Sequence, residues 1–397
     1  MPRYAYERQL VQTKAIQSRA FSVAVAVLVT LTLIAWQQVG FRHALSVIIG
    51  GVAGVALYHA AFGFTSAWRR LQVDRRGTGF RAQILLIGIS CAVSLPLLAH
   101  GSLFGSPVYG NVLPIGIASA FGALLFGIGM QFGGGCASGT LFTVGGGSTR
   151  MLLVLIAFIV GSLWATWDIP QIWATLPRYG GVSLLREFGL TGSLLTMFGL
   201  LTTLWFLSIR LELRRHGSLE QARKTSNWLR GPWSAWDGAI ALAIVSVTTL
   251  IVTHRPWGVT AGFALWGAQA ADASGIFNVA LWPYWENPQW RAAQLQAGPF
   301  ANFTSLMNFA IIAGAMAAAA AAGRFTPTLR LTQRDVVTAV IGGLAMGYGA
   351  RLAYGCNIGA YLGGLVSGSL HGWWWLVFGF TGSVVGNHLR RLFEPHP

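Results

Sequence analysis

Eleven apolar stretches, at about 20–36, 43–65, 82–99, 113–130, 151–169, 189–209, 237–253, 257–271, 303–323, 335–350 and 372–389, leave this 397-residue chain one environment in which to fold. Each helical crossing of a bilayer takes roughly 20 apolar residues, and the connectors between these stretches are too short to hold a soluble catalytic domain. Composition agrees, because 54% hydrophobic and 10% charged residues give too little polar surface for water. The stretch at 20–36 follows a basic start as a signal peptide does, yet no small-x-small cleavage site comes before Gln37-Gln38, so it is expected to stay as a first helix. The fold class expected is an all-α polytopic membrane protein forming a single domain over 1–397.

The formal charge of +16 does not indicate nucleic-acid binding, since the arginines cluster in short connectors where topology and lipid contact explain them. The cysteines, Cys91, Cys136 and Cys356, form no Cys-x-x-Cys, which argues against a disulfide scaffold or a thioredoxin-like redox pair. The histidines show no metal spacing, and no Gly-x-x-x-x-Gly-Lys loop is present. No metal, cofactor, direct ATP drive or enzymatic activity is expected.

The chain repeats itself. Gly127-Ile-Gly129 followed by Gly135-Cys136-Ala-Ser138-Gly139 recurs 220 positions on as Gly347-Tyr-Gly349 followed by Gly355-Cys356-Asn357-Ile-Gly359. Upstream, Ala53-Gly54-Val-Ala-Leu-Tyr58-His-Ala60 parallels Ala261-Gly262-Phe-Ala-Leu-Trp266-Gly-Ala268, which places the copies at 40–169 and 257–391 with 170–256 linking them. Arginines 69, 70, 75, 76 and 81, the basic connector from Arg210 to Arg230, and Arg324, Arg330 and Arg334 are assigned to the cytoplasm; residues 100–112 and 272–302 are assigned outside. These assignments fit about nine crossings, with 43–65 and 257–271 as re-entrant half helices. The copies are then inverted, the Cys136 loop is entered from the cytoplasm and the Cys356 loop from outside. The C-terminus with Arg390 and Arg391 falls inside, whereas Arg3, Arg8, Lys14 and Arg19 fall outside, against the same tendency.

Inverted repeats place a substrate near the membrane midplane, where paired broken helices turn their positive N-termini toward it. Gly134, Gly135 and Gly355 permit unusual dihedrals and close backbone approach, and a short apolar run follows each cysteine, ending its motif with Gly139 or Gly359. A lone Gly-Cys-x-x-Gly reads most simply as close helix packing, but the same thiol at equivalent positions of two copies points to a ligand path. Cys91 is a third candidate station in that path. Gln131 and Arg351, which align, together with Ser138 and Asn357, are candidate polar contacts. Trp373-Trp374-Trp375 reads as an interfacial aromatic belt.

Gly135-Cys136-Ala-Ser-Gly139 with Gly146-Gly147-Ser148, and Tyr354-Gly355-Cys356-Asn357-Ile-Gly359, resemble the YeeE/YedE family of sulfur-transport membrane proteins over about 40–391. The resemblance implies a bacterial inner-membrane protein that takes up thiosulfate or a related sulfur anion through an hourglass-shaped pore, with Cys136 and Cys356 passing the ion by transient S–H contacts. It also implies a small TusA-like sulfur-carrier protein as a cytoplasmic partner. A selenium compound or another small anion as the cargo, or a membrane thiol-redox function, stay open as alternatives.

Overall fold

The computed structural model describes residues 15–393. Its elements are α1 (Ser18–Gln38), α2 (Phe41–Ala60), α3 (Phe64–Arg69, continued by a π-helical turn Arg70–Asp74), α4 (Thr78–His100), α5 (Ile117–Gly133), α6 (Ala137–Gly145) and α7 (Thr149–Gln171). There follow α8 (Leu184–His216), α9 (Ala235–Thr253), α10 (Thr260–Ala273), α11 (Phe303–Ala321), α12 (Gln333–Leu352), α13 (Asn357–Leu362 and Gly363–Leu365) and α14 (Leu370–Phe393). Strands are limited to four two-residue pieces in the connectors, among the described residues. Nine helical stretches there have the length and apolarity of a crossing, and α14, of 24 residues, runs along α5 in the same way. The expected all-helical polytopic membrane fold is the one observed.

Small residues let the helices touch backbone to backbone, which is how helices associate where lipid removes the hydrophobic incentive. On α2 and α11, which run parallel, a Cβ added to Gly54 would stand 2.2 Å from the Ile311 carbonyl oxygen, and one added to Gly314 would stand 2.1 Å from that of Gly51. On α5 and α14 the corresponding approaches are Gly127 to Gly379 O, 2.2 Å, and Gly382 to Leu124 O, 2.0 Å. On α12 and α7, Gly347 approaches Phe158 O at 2.1 Å and Gly161 approaches Leu344 O at 2.4 Å. Between them α5 and α12 cross antiparallel at the centre, Gly122 facing Gly349 and Gly129 facing Gly342. The peripheral α1 and α8 lean on α11 and α4 respectively.

One end of the bundle is rich in arginine. There the buried carboxylate of Glu212, near the end of α8, receives Arg81 at 2.9 Å, Arg76 at 3.2 Å and the Gly77 N–H at 3.1 Å. These bonds fasten α8 to the connector between α3 and α4; removing one partner of such a group would strand a buried charge.

Four elements do not cross. From buried N-termini, α3 and α6 run to the arginine-rich end, and α10 and α13 run to the opposite end. The re-entrant segment expected within 43–65 therefore lies further along. Gly50, Gly51 and Gly54 are unbroken helix in α2, where they make room for α11, and the break comes at Ala61–Gly63. With α2 a full-length helix, α1 must start at the arginine-rich end. Gln17 is anchored there, its N–H donating to Ala320 O (3.0 Å) and its side chain bonding both backbone groups of Phe325. The start of α1, with Arg19, thus lies at the end of the bundle opposite to the expected one; Arg3, Arg8 and Lys14 lie outside the described residues.

This packing predicts an order of tolerance. Gly347→Ala is expected to cost about 1–3 kcal/mol through overpacking against Phe158 and to lower the melting temperature of the purified protein. Gly199→Ala, on α8 with nothing within 4 Å, is expected to hold or raise it, by about 0.5–1 kcal/mol. Equal melting temperatures would contradict the close-contact account.

Candidate functional site

Both cysteines head a half helix deep in the bundle. Helix α5 ends at Gly134, in the left-handed region (φ 82°), and Cys136 follows in extended backbone as the N-cap of α6. Its carbonyl accepts the N–H (2.8 Å) and hydroxyl (2.9 Å) of Thr140, closing the first turn. Its Sγ lies 3.4 Å from Ser138 Oγ. In the second loop the left-handed position two residues before the cysteine is Tyr354 (φ 59°), and Gly355 has φ 155°. Cys356 caps α13, and its carbonyl accepts the N–H groups of Ala360 (2.8 Å) and Tyr361 (3.3 Å). Gly355 must be small, because a Cβ there would meet Ala360 N at 2.9 Å, while Gly135 and Gly139 have ordinary contact distances. Both thiols are buried, in the same central core.

Polar atoms around the second loop lack partners. The side chain of Asn357 is wholly buried, and neither its amide nitrogen nor its oxygen has a hydrogen bond within the protein. The hydroxyl of Tyr361, equally buried, has none either. An unmet buried group costs roughly 1–3 kcal/mol, so two beside one thiol call for a functional reason. Gly359 offers its carbonyl to Asn111 Nδ2 at 3.1 Å and packs against Gly258 in the approach to α10. The third cysteine, Cys91 on α4, sits at the far end of α13, its Sγ 3.6 Å from Leu365 O. Ser90 and Ser94 beside it hold buried hydroxyls without partners.

The aligned pair Gln131 and Arg351 occupies matching places with different chemistry. Gln131 is buried and saturated, donating to Thr65 O (3.3 Å) and Ser383 Oγ (2.8 Å) while accepting from Arg69 Nε (3.2 Å). Arg351 donates to Thr260 Oγ1 (3.1 Å). Thr65 and Thr260 open α3 and α10, which places them at the same joint. Sequence reasoning passed over both, although Phe62-Gly63-Phe64-Thr65 and Trp257-Gly258-Val259-Thr260 repeat one pattern of aromatic, glycine, apolar residue and threonine. It also passed over Tyr361, which carries no motif. Trp375 is corrected: rather than belonging to an interfacial belt it is fully buried, stacked on Tyr361 (6.0 Å, 16°) with Nε1 donating to Gly355 O. Among the described residues no three His, Cys, Asp or Glu side chains are grouped to hold a metal ion.

Known proteins resemble this chain in sequence. The probable transporter YedE of Escherichia coli is 30% identical over 165 residues, 42% of this chain, and the chain spans only 40% of that relative's length. The thiosulfate transporter TsuA of Spirochaeta thermophila is 26% identical over 349 residues, covering 85% of this chain and 95% of the relative. The thiosulfate transporter TsuA of Escherichia coli is 24% identical over 352 residues, covering 84% and 91%. The family model described as sulphur transport matches residues 59–385, from the end of α2 into α14 and through both cysteine loops, so this multi-pass membrane protein belongs to the YeeE/YedE sulphur-transport family.

Proposed function

We propose that this chain takes up a small sulfur-containing anion, thiosulfate first among them, across a bacterial inner membrane, using Cys136 and Cys356 as paired thiol contacts. The similarity to both TsuA proteins, which runs through nearly their whole length, supports the substrate class. The observation that carries the reading is the pair of buried thiols, each at the interior N-terminus of a half helix and both in one core, beside the unpartnered amide of Asn357. S–H and amide N–H groups are donors an oxyanion can accept from, and the positive ends of four half helices favour negative charge at the centre. Cys91, along α13 toward the arginine-poor end, is a third station in this reading. Ser138, the backbone of the glycine-flanked loops and Arg351 complete the contacts.

The proposal includes a repeat division different from the one expected. Each of the first seven helices corresponds to the one seven places on, so that residues 18–171 and 184–393 are inverted copies, and α8 and α9 are repeat members rather than linkers. The support is that each packing recurs with its partner: α2 on α11 and α9 on α4, α5 on α14 and α12 on α7, α1 on α11 and α8 on α4. The arginine-rich end faces the cytoplasm under the positive-inside rule, which puts the C-terminus inside. The Cys136 loop then opens inward and the Cys356 loop outward. A TusA-like carrier would meet the arginine-rich face.

Uptake of sulfur-labelled thiosulfate, in cells lacking other sulfate and thiosulfate importers, is the test. Cys136→Ala and Cys356→Ala, at matched membrane levels, are each expected to lower uptake at least about tenfold, since a hydrogen bond to a charged group contributes roughly 1.5–3 kcal/mol. Uptake indifferent to both changes would discard the thiol contacts, and none by the intact protein would discard thiosulfate. Asn357→Ala gives the second copy the residue that the first copy has as Ala137. It is expected to leave the melting temperature unchanged or higher while uptake falls; a lower melting temperature with full uptake would make Asn357 structural.

A further inference from the structure

Two cavities flank the loops at matching positions. One, of about 50 Å³ toward the arginine-poor end, is lined by Ser119, Trp173, Arg178, Arg351 and Tyr354. The other, of about 310 Å³ at the arginine-rich end, is lined by Gly134, Arg150, Arg334, Asp335, Thr338 and Arg390. Each takes in the left-handed residue two places before a cysteine, Tyr354 in one and Gly134 in the other. Each is walled by one end of α5 and the opposite end of α12.

Their guanidinium groups are engaged differently. In the larger cavity Arg150 is fully engaged: it donates to the carbonyls of Gly133 (2.7 Å) and Phe132 (2.9 Å) and to Thr338 Oγ1 (3.1 Å), and Asp335 lies 3.6 Å from its Nε. In the smaller cavity no carboxylate is among the lining residues. Arg351 has Thr260 Oγ1 as a neutral acceptor, its Nε is buried without a partner, and it takes part in none of the ion pairs among the described residues. The carboxylate of Asp168, at the end of α7, accepts from Tyr348 Oη, which itself accepts from Trp173 Nε1. Arg178 adds a second guanidinium at the exposed rim. A partly buried cation with an unused donor and no counterion favours an anion beside it, and the planar guanidinium edge suits an oxyanion's paired oxygens.

We propose that the cavity at Arg351 is the capture site, where a small sulfur oxyanion is held by the Nε edge of Arg351, with Arg178 at the rim, before it reaches Cys356. This rests on the anion-uptake reading above. The equivalent place in the first copy, Gln131, is neutral and saturated. At the cytoplasmic cavity Arg150 is already engaged by Asp335 and by the carbonyls of Gly133 and Phe132.

The test compares the intact protein with Arg351→Gln, which installs the residue of the first copy, and with Arg351→Lys, which keeps the charge but loses the fork. KM for labelled thiosulfate is expected to rise about tenfold or more in Arg351→Gln with maximal uptake retained at matched expression, and to rise less in Arg351→Lys. In purified protein, millimolar thiosulfate is expected to raise the melting temperature of the intact chain and of Asp335→Asn, but not of Arg351→Gln. An unchanged KM in Arg351→Gln overturns the capture site while leaving the uptake reading intact. If the intact protein takes up no thiosulfate, the uptake reading fails, and stabilisation of the intact chain by thiosulfate or sulfate but not of Arg351→Gln still supports the anion site; equal stabilisation of both overturns it. Should Arg351→Gln fail to accumulate, Arg351→Lys carries the comparison, an unchanged KM again overturning the site.

Discussion

Inside a bilayer a broken helix leaves backbone N–H and C=O groups that lipid cannot satisfy, so a break survives only where protein or a polar cavity surrounds it. Among the described residues four half helices follow such breaks, and the interior ends of all four lie in the core. Everything else serves that arrangement. The glycine faces of α2, α5, α7, α11, α12 and α14 bring long helices into backbone contact, so the half helices are enclosed by protein. The cysteine carbonyls each close the first turn of their own half helix, accepting from Thr140 N in one and from Ala360 N and Tyr361 N in the other, and the Thr140, Asn111 and Trp375 side chains take up neighbouring backbone carbonyls. After that enclosure the side-chain polar atoms of Asn357 and Tyr361, next to Cys356 in the chain and on its half helix, remain unmet.

Much of this was legible in the sequence. The duplicated Gly-Cys-x-x-Gly found both loops, and the break before Thr260 was placed correctly because α10 is short. The break in the first copy was misplaced because glycine has two uses in a membrane helix. Gly50, Gly51 and Gly54 were read as interruptions, yet they are contact surfaces for α11, and nothing local distinguishes the two roles. That error put the start of α1 at the wrong end of the bundle relative to the arginine-rich connectors, and Arg19 with it. Trp375 was misread for a similar reason. A tryptophan run suits an interface, but the long-range stack on Tyr361 decided its place, and sequence does not show such a partner.

The matching positions also show how a duplicated frame can carry unlike chemistry. Gln131 and Arg351 reach the opening threonines of their respective half helices, but one is neutral and saturated while the other is charged with a spare donor. Ala137 stands where Asn357 does, and Gly134 where Tyr354 does. The charged Arg351, the amide Asn357 and the bulky Tyr354 belong to the second copy, whereas Ser138 of the first copy stands where the second has Ile358.

The central claim is that Cys136 and Cys356 face one ligand path. A structure of the protein with thiosulfate bound tests it most directly. The account predicts anion density in contact with at least one of the two Sγ atoms and with the side-chain amide of Asn357. Density confined to other parts of the bundle, with both thiols sealed in apolar packing, would contradict it.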